Sequence, residues 1–383
     1  MRNDLDMYEQ FNLRSNPFLE DFHEDFPMID REEVSRDLDF FLNGFMKQAS
    51  PQMLAILGDY GIGKTFVLLQ LLKKLKEGKI LGDFKTLSLY MKVLTPKPPT
   101  KYFHYLYSET MNRLGLSSLR LLSKEIRGLR NKPRLARLQE IDQDLVKALS
   151  CIGTDLESPA WSFLRGAPIL ASQMKKINVD SKITTDERAE FIYIEFLKTL
   201  DILGYKSLIL LIDEFEYILT ATGAKRSAQI IVSFKDLFDK TNEMIGVGEN
   251  ICKPVFIIAC TPGVWREGIP SLMNSVGLGG IYPFWERIYS TYTLKPFSDD
   301  ETRRLVTSRL QARRIKTTND AISPFTHDFF PFITKVTQGI PRRTLRRTAF
   351  VLDIADQRGI ERINRDEAEN ILKEFNLIKT NKE

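Results

Sequence analysis

Residues 58–65 carry the pattern in this sequence that most directly implies chemistry. Their order, Gly58-Asp59-Tyr60-Gly61-Ile62-Gly63-Lys64-Thr65, matches G-x-x-x-x-G-K-[ST]. In such a loop the backbone N–H groups point at a phosphate, the lysine bridges the β- and γ-phosphates of a nucleotide, and the threonine hydroxyl ligates Mg²⁺. We count these eight residues and the following Phe66 as nucleotide-binding candidates. The alternative is a glycine turn that only joins a strand to a helix.

Two carboxylates, Asp213 and Glu214, directly follow the apolar run Leu208–Ile212. A short continuous apolar run is typical of a strand buried on both faces, and ligands bind at the carboxyl ends of such strands. We expect Asp213 to hold Mg²⁺ through water, and Glu214 to orient and deprotonate an attacking water. A pair of surface carboxylates is the alternative. Together with the loop, the pair predicts a site that binds ATP with Mg²⁺ and hydrolyses the ATP.

Alternating strands and helices must position these residues. The strand signals are Met53–Leu57, Thr86–Val93, Leu208–Ile212, Val255–Cys260 and Thr291–Leu294. Helical patterns separate most of them, which predicts an α/β fold with a parallel sheet sandwiched by helices. One of these helices should begin at the capping pattern Thr184-Thr185-Asp186-Glu187 and run to Leu203, with Gly204 as its stop.

Beyond Pro296 only helices are predicted: Asp299–Arg313, Thr326–Thr337, Arg342–Gln357 and Arg365–Phe375. We therefore divide the chain into three segments. Residues 1–50 form an N-terminal segment, and residues 51–296 form the α/β nucleotide-binding domain with a helical insert around 100–184. Residues 297–383 form a small all-helical lid domain, which is within the usual size of a domain.

The composition of the 383 residues is that of an ordinary globular protein, with 43% hydrophobic and 27% charged residues. No apolar run approaches the ~18–20 residues that span a membrane, so we expect no membrane partner. The N-terminus lacks a basic-then-apolar signal pattern, and the three cysteines and three histidines are scattered. We expect a cytoplasmic protein with neither a zinc site nor a disulfide framework.

At these motifs the chain resembles the AAA+ ATPases, and the resemblance covers nearly its whole length. Gly339-Ile340-Pro341-Arg342 is similar to the sensor 2 motif, whose arginine reaches the γ-phosphate. Thr261 follows a strand where the polar sensor 1 residue belongs. Arg287, in Trp285-Glu286-Arg287-Ile288, precedes the last strand, where related proteins carry an arginine finger that acts on the neighbouring subunit. The resemblance therefore implies an oligomer, with Thr261, Arg287 and Arg342 joining Lys64 and Glu214 in catalysis.

Each of these three assignments has an alternative. For Arg342 the alternative is a surface charge at a helix start, although its Gly-x-Pro-Arg context favours sensor 2; for Thr261 it is capping of the following turn. Arg287 could instead form a structural ion pair with Asp299 or Glu286.

Three branches of the class are similar in different places. Tyr8-Glu9-Gln10-Phe11-Asn12-Leu13-Arg14-Ser15-Asn16-Pro17-Phe18 resembles the opening of ExeA-type and TnsC-like transposition ATPases. Leu203–Glu216 resembles the ATP-binding proteins of BREX-type phage-defence systems. Ile29-Asp30-Arg31-Glu32-Glu33 and Ile363–Ala368 are similar to archaeal origin-recognition ATPases, which makes Arg31 a candidate on the adenine side of the nucleotide. Initiators add a winged-helix domain beyond the lid, which we do not expect in the short stretch after Phe375.

A basic segment inside the insert offers a surface for nucleic acid. Between positions 113 and 137 eight cations stand against one acid, Glu125, a net charge of +7 compared with +5 for the whole chain. Such clustering predicts contact with a phosphate backbone, here double-stranded DNA. The alternatives are a solvated helical face or an inter-subunit salt-bridge surface. The eight cations are Arg113, Arg120, Lys124, Arg127, Arg130, Lys132, Arg134 and Arg137.

The rest of the insert, Cys151–Ser181, mixes Pro and Gly with apolar residues, and the sequence leaves open whether it contacts a partner or packs irregularly. Taken together, the sequence predicts a homo-oligomeric AAA+ ATPase that assembles on DNA and regulates or recruits a protein partner, such as a transposase or nuclease. The competing hypothesis is a nucleotide-gated regulatory switch that acts through protein partners and does not touch DNA.

Overall fold

Five strands form one sheet in the computed structural model of this chain, which describes residues 8–18, 32–48, 50–93, 102–219, 223–277 and 287–378. They are β1 (Gln52–Leu57), β2 (Thr86–Lys92), β3 (Ser207–Asp213), β4 (Lys253–Cys260) and β5 (Ile288–Thr293). Their order across the sheet is β2-β3-β4-β1-β5. The pairs β2–β3, β3–β4 and β1–β4 run parallel, which confirms the predicted α/β fold.

Apolar side chains account for the central strands. Every residue of β3 is buried, as is every residue of β4 after Lys253 and of β1 after Gln52. Strands that are apolar on both faces must be covered on both faces, and in a parallel sheet the crossover helices provide this cover. Four of the predicted strands lie within two residues of the observed ones. The fifth prediction, Thr291–Leu294, was wrong at its start, because β5 begins at Ile288, directly after Arg287.

Helices fill the chain between and around these strands. In chain order they are α1 (Glu32–Met46), α2 (Lys64–Lys76), α3 (Tyr102–Gly128), α4 (Lys132–Glu140), α5 (Gln143–Cys151), α6 (Glu157–Leu164), α7 (Ala171–Ile177), α8 (Asp186–Ile202), α9 (Ala224–Gly246) and α10 (Ile269–Ser275). The predicted start of α8 is confirmed, because the Thr185 side chain accepts the N–H of Arg188. Helix α3 is interrupted at Gly115, where the backbone is not helical.

The described part of the insert between β2 and β3 consists of the helices α3 to α7 and the turns and loops that join them. In the segment 151–181, Phe163, Met174 and Val179 are buried in the same apolar core as β3. These side chains stabilise the insert from within. Of the two alternatives for this segment, the structure therefore favours packing.

Four further helices follow the sheet: α11 (Asp299–Arg313), α12 (Phe329–Thr337), α13 (Pro341–Arg358) and α14 (Arg365–Glu374). Each begins within three residues of its predicted start. Ser298 and Glu301 form a capping box that starts α11, and Gly359, with φ 67°, ends α13. Their apolar faces share one core, which also takes in Phe11, Leu13 and Phe18 from the N-terminal segment.

By packing, the described residues divide into two units. One takes its described residues from Met1–Arg36, Gly58–Gln70 and Thr293–Glu383, and the other from Asp37–Leu57 and Leu71–Tyr292. The sequence-based division at residues 50 and 296 remains a prediction about domains. No helix in the described ranges is long and apolar enough to cross a membrane.

Candidate functional site

The loop after β1 has the backbone that its glycines predict. Gly61 and Gly63 adopt φ values of 81° and 106°, a region that residues with a Cβ rarely enter. A Cβ on Gly58 would lie 2.5 Å from the Ile62 side chain, whereas one on Gly63 would meet no heavy atom within 4 Å. Within the described part of the chain, no group accepts a hydrogen bond from the N–H of Gly61 or Gly63. The N–H groups of this turn are therefore suited to donate hydrogen bonds to the oxygens of an anion.

Helix α2 begins at Lys64, so Lys64, Thr65 and Phe66 form its first turn. The Lys64 ammonium folds back over the loop and donates to the carbonyl of Gly58 at 2.7 Å, with only 8% of the residue exposed. The positive end of the helix dipole and this ammonium therefore lie at the same loop, an arrangement that favours a bound phosphate. The neighbouring Asp59 and Tyr60 are exposed.

The start of α13 contacts the same loop. The N–H of Arg342 donates to the carbonyl of Gly61 at 3.1 Å, and a Cβ on Gly61 would lie 2.8 Å from the Cβ of Arg342. Gly339, with φ 63°, allows the chain to turn tightly against Phe297, and Pro341 occupies the first turn of the helix. The predicted sensor 2 motif is thus a turn that brings the Arg342 backbone to the loop, with an exposed side chain.

The two carboxylates lie at the carboxyl end of β3, as predicted. Asp213 is 1% exposed; its Oδ2 accepts the Tyr90 hydroxyl at 2.7 Å and its Oδ1 accepts the N–H of Glu214 at 2.9 Å. Glu214 has φ 54°, an unusual backbone for a residue other than glycine, and its Oε1 lies 2.9 Å from the Lys92 ammonium. Burial, and then the bond to Asp213, raise the pKa of Tyr90, so the phenol is a protonated donor at neutral pH.

The ends of three parallel strands meet at one edge of the sheet. Leu57 at the end of β1 is paired with Cys260 at the end of β4, and Ile212 on β3 is paired with Ile258. Thr261 follows β4 and is 8% exposed, and its carbonyl accepts the N–H of Trp265. This backbone hydrogen bond is the one expected of a residue that begins a helical turn, which supports the capping alternative for Thr261. The sensor role of Thr261 remains a prediction.

Asp213 and Thr65 are the residues predicted to hold Mg²⁺. The described chain contains no group of three or more His, Cys, Asp or Glu side chains placed to hold a metal by themselves. Mg²⁺ at nucleotide sites keeps several waters and takes one or two carboxylates together with phosphate oxygens. A single buried carboxylate at a strand end therefore fits Mg²⁺ bound together with a nucleotide.

Arg287 is paired within its own unit, but with a residue that the sequence did not suggest. Its guanidinium binds Asp239 on α9 and lies over the Phe238 ring. Lys235 binds the same carboxylate at 2.8 Å. Burial alone would raise the pKa of Asp239, but the hydrogen bonds from Lys235 and Arg287 hold the pKa below its usual value. Asp239 was not among the partners suggested for Arg287 from the sequence, and of those suggested partners Glu286 lies outside the described residues.

No protein-family model and no curated protein matches this chain. Solved structures do match. The Aeropyrum pernix ORC2 protein in ADPNP–ADP complexes is 14% identical with a TM-score of 0.54, over 95% of this chain and 72% of that one. A Drosophila ORC structure bound to DNA is 13% identical with a TM-score of 0.50, over 99% of this chain and 68% of that one. The chain shares the fold of these ORC structures, a parallel α/β sheet with a group of C-terminal helices. At these identities the likeness is one of fold.

Within this fold, carboxylates from outside the basic segment neutralise three of its eight cations. Arg113 binds Glu109, Arg120 binds Glu157 through two nitrogens, and Arg137 binds Asp201. The one acid inside the segment, Glu125, binds Lys85 instead. The net charge of +7 counted between positions 113 and 137 therefore leaves out three acids that the fold brings to this segment, and the contact of its cations with nucleic acid stays a prediction.

Five cations without a carboxylate partner remain, counting only described residues as partners, and they surround the turn between α3 and α4. Arg127 donates to the carbonyls of Ser150 and Ile152, and Arg130 to those of Arg127 and Leu129, so both keep their full charge. All five residues are exposed. We call this cluster the basic corner; it consists of Lys124, Arg127, Arg130, Lys132 and Arg134.

Some site predictions fall on residues outside the described ranges, and others were missed. Arg31 and most of the adenine-side segment are outside, as are Trp285 and Glu286 beside Arg287. Tyr90 and Lys92 were missed, although both contact the acidic pair. Their signal was two polar residues at alternate positions near the end of β2, which share one face of a strand. Sequence alone did not reveal that β2 pairs with β3.

Proposed function

We propose that this chain binds ATP with Mg²⁺ and hydrolyses it. The observation that carries the proposal is the loop Gly58–Gly63. Two of its glycines have positive φ, and this backbone leaves N–H groups of the loop available to an anion at the start of α2. The Arg342 backbone contacts this loop, and strand β3 of the same sheet as β1 ends in the buried Asp213, followed by Glu214. Neither a simple turn nor a surface acid pair would require these features.

The roles of the side chains follow from their chemistry. Lys64 would offset charge on the β- and γ-phosphates. The hydroxyl of Thr65 and, through water, the carboxylate of Asp213 would hold Mg²⁺, which when bound would supply charge compensation. Glu214 accepts a proton from the attacking water as its oxygen bonds to the γ-phosphorus and the bond to the bridging oxygen breaks. We also propose that the nucleotide is contacted by Arg31, Thr261 and Arg342. Arg287 is proposed to act at the site of a neighbouring subunit.

The test is a pair of substitutions with opposite signatures. Lys64→Ala should abolish tight ATP binding, whereas Lys76→Ala, at the other end of α2, makes the same charge change and should not. Glu214→Gln should keep ATP binding and lose phosphate release, because an amide cannot take the proton. Nucleotide binding is measured by fluorescence and hydrolysis by phosphate release. Wild-type hydrolysis by the Gln variant would refute the assignment of Glu214.

We further propose that the protein oligomerises and assembles on double-stranded DNA through the basic corner, with ATP binding favouring assembly and hydrolysis resetting it. Five uncompensated cations at one turn are the electrostatic feature that supports a phosphate-backbone partner. The Drosophila structure of similar fold is described as bound to DNA. Wild-type protein with ATP should bind a labelled duplex at low salt, and should lose it steeply as salt rises. A cytoplasmic location and a transposase or nuclease partner remain part of this proposal.

The second candidate is a nucleotide-gated switch that acts through a protein partner without touching DNA. Its supporting observation is that three of the predicted DNA-binding cations are neutralised within the fold. On this hypothesis ATP changes the oligomeric state but no duplex is bound at any salt concentration. Sedimentation with and without ATP, each with and without duplex, separates the two functions.

A further inference from the structure

Three lysines mark the amino-terminal ends of three neighbouring strands, opposite to the end of β3 that carries Asp213. Lys85 directly precedes β2, Lys206 directly precedes β3, and Lys253 is the first residue of β4. The N–H of Lys206 donates to the carbonyl of Lys85 at 2.8 Å, and the N–H of Lys253 to the carbonyl of Lys206 at 3.2 Å. Because adjacent strands lie about 4.8 Å apart, the sheet holds the three backbones within about 10 Å. We call these three residues the lysine row.

Two of the three charges in the lysine row are uncompensated. The Lys85 ammonium is neutralised by Glu125 on α3 at 2.5 Å. Lys206 is exposed and Lys253 is half-buried, and neither forms an ion pair with a carboxylate of the described residues. The Lys253 ammonium donates to the carbonyl of Gln48, a neutral partner that leaves its charge in place.

The two uncompensated lysines affect each other. Burial lowers the pKa of the Lys253 ammonium, and the positive charge of Lys206 lowers that pKa further. Because like charges repel, negative charge supplied from outside the chain would stabilise this edge of the sheet. A nucleic-acid backbone supplies such charges in series, about one for every 3.4 Å of helix axis on each strand.

The lysine row adjoins the helices that carry the basic corner. Helix α3 carries part of the corner, and its Glu125 binds Lys85 of the row. Helix α4 carries another part, and its Arg137 donates to the carbonyl of Asn250, three residues before Lys253. The row and both helices therefore belong to one contacting set of elements around the sheet.

We propose that the DNA-binding surface continues from the basic corner across the lysine row, where Lys206 and Lys253 each contact a phosphate of the bound duplex. This inference rests on the proposed function, because it takes the basic corner as a DNA contact. It adds two contacts at the opposite end of the strands from Asp213 and Glu214. Because phosphate contacts carry little sequence information, these lysines would act alike on unrelated duplexes.

The experiment measures the affinity for a labelled duplex by fluorescence anisotropy over a salt series, with ATP present and Glu214→Gln in every protein. Lys206→Gln should flatten the slope of log affinity against log salt by up to about 0.9, which corresponds to about eightfold weaker binding at 0.1 M salt. Adding Lys253→Gln should double the change in slope to about 1.8, or about 60-fold weaker binding at 0.1 M salt.

The matched control is the double variant Lys240→Gln with Lys373→Gln. It removes the same two formal charges from lysines that are paired with glutamates, Lys240 with Glu243 and Lys373 with Glu369. Its salt slope should stay at the wild-type value. Melting curves verify that each variant is folded. Since Lys206 is exposed and its ammonium has no hydrogen-bond partner among the described residues, Lys206→Gln tests the proposal even if the change at Lys253 destabilises the chain.

Two results would overturn the role of the lysine row and leave DNA binding by the basic corner standing. One is a wild-type salt slope for Lys206→Gln and for the double variant. The other is an equal loss in the lysine-row double variant and the control, since net charge alone would then account for it. If the wild-type protein bound no duplex at low salt, both this inference and the proposed DNA function would fail.

Discussion

Removing three charges from the basic corner should weaken DNA binding far more than removing three others from the same insert. The test variant replaces Arg130, Lys132 and Arg134 with Ser. All three are exposed and make no ion pair with a described carboxylate. The matched control replaces Arg113, Arg120 and Arg137, which are paired with Glu109, Glu157 and Asp201. Each triple lowers the formal net charge of +5 by three.

The expected magnitude follows from counterion release. If each corner cation neutralises one phosphate, the slope of log affinity against log salt should flatten by up to about 2.7, at about 0.9 for each phosphate. Purely electrostatic loss of this size corresponds to an affinity about 500-fold lower at 0.1 M salt and about 80-fold lower at 0.2 M salt. Because phosphate contacts carry little sequence information, unrelated duplexes should lose affinity equally.

The assay is fluorescence anisotropy of a labelled duplex over a salt series, with ATP present and with the Glu214→Gln change in every protein to prevent turnover. The control triple breaks surface ion pairs of about 1 kcal/mol or less each, and a melting curve verifies that both triples are folded. Equal losses in the two triples would mean that net charge alone matters. Full binding by the corner variant would refute the reasoning, because the contact surface would then lie elsewhere.

Three further outcomes test other parts of the structure. In urea titrations, Gly339→Ala should lower the free energy of unfolding by at least about 2 kcal/mol more than Gly359→Ala. Both glycines have positive φ, but only a Cβ on Gly339 would meet a backbone oxygen, at 2.2 Å. If Arg287 acts on a neighbouring subunit, Arg287→Ala should have little ATPase activity alone and should regain part of it when mixed with Glu214→Gln. No rescue in mixtures that co-assemble would instead favour the ion pair with Asp239 as the role of Arg287. Since the folded pKa of Asp239 is depressed, its stabilisation is present above the ordinary pKa of an aspartate and is lost as pH falls through the lowered value. Asp239→Asn should therefore lower stability at neutral pH and flatten the acid side of a pH series of unfolding curves; an unchanged acid side would contradict that pKa.

Local patterns predicted much of the fold. β3 was found because five apolar residues in a row leave no polar face for solvent, and the loop was found because only glycines tolerate the backbone of Gly61 and Gly63. The start of α8 followed from a threonine that can cap its own helix. In each case the cause lies within a few residues of the effect.

Contacts between distant residues were beyond the sequence patterns. Arg120 and Arg137 looked unopposed because their partners lie 37 and 64 residues further along the chain. Tyr90 and Asp213 are 123 residues apart, and only the pairing of β2 with β3 joins them. The error at β5 has a different cause: its residues alternate between half-buried and exposed, so it lacks the continuous apolar run that marked the other strands.

Helix α13 gives a physical reason for the N-terminal motif that precedes the loop in the sequence. Near its start, the Arg342 N–H binds the loop at Gly61. Nearer its other end, Asp353 accepts hydrogen bonds from the Tyr8 hydroxyl and the Asn16 amide, and Asp356 accepts one from Gln10.

The apolar members of the motif, Phe11, Leu13 and Phe18, are buried in the core of the C-terminal helices. The motif is thus a packing element of the unit that contains the loop, and its spacing reflects which side chains must reach that core. Helix α13 is hydrogen-bonded both to the motif and to the loop. A substitution that removes hydrogen bonds of the motif should therefore change the position of Gly61 through α13, without the motif contacting the nucleotide.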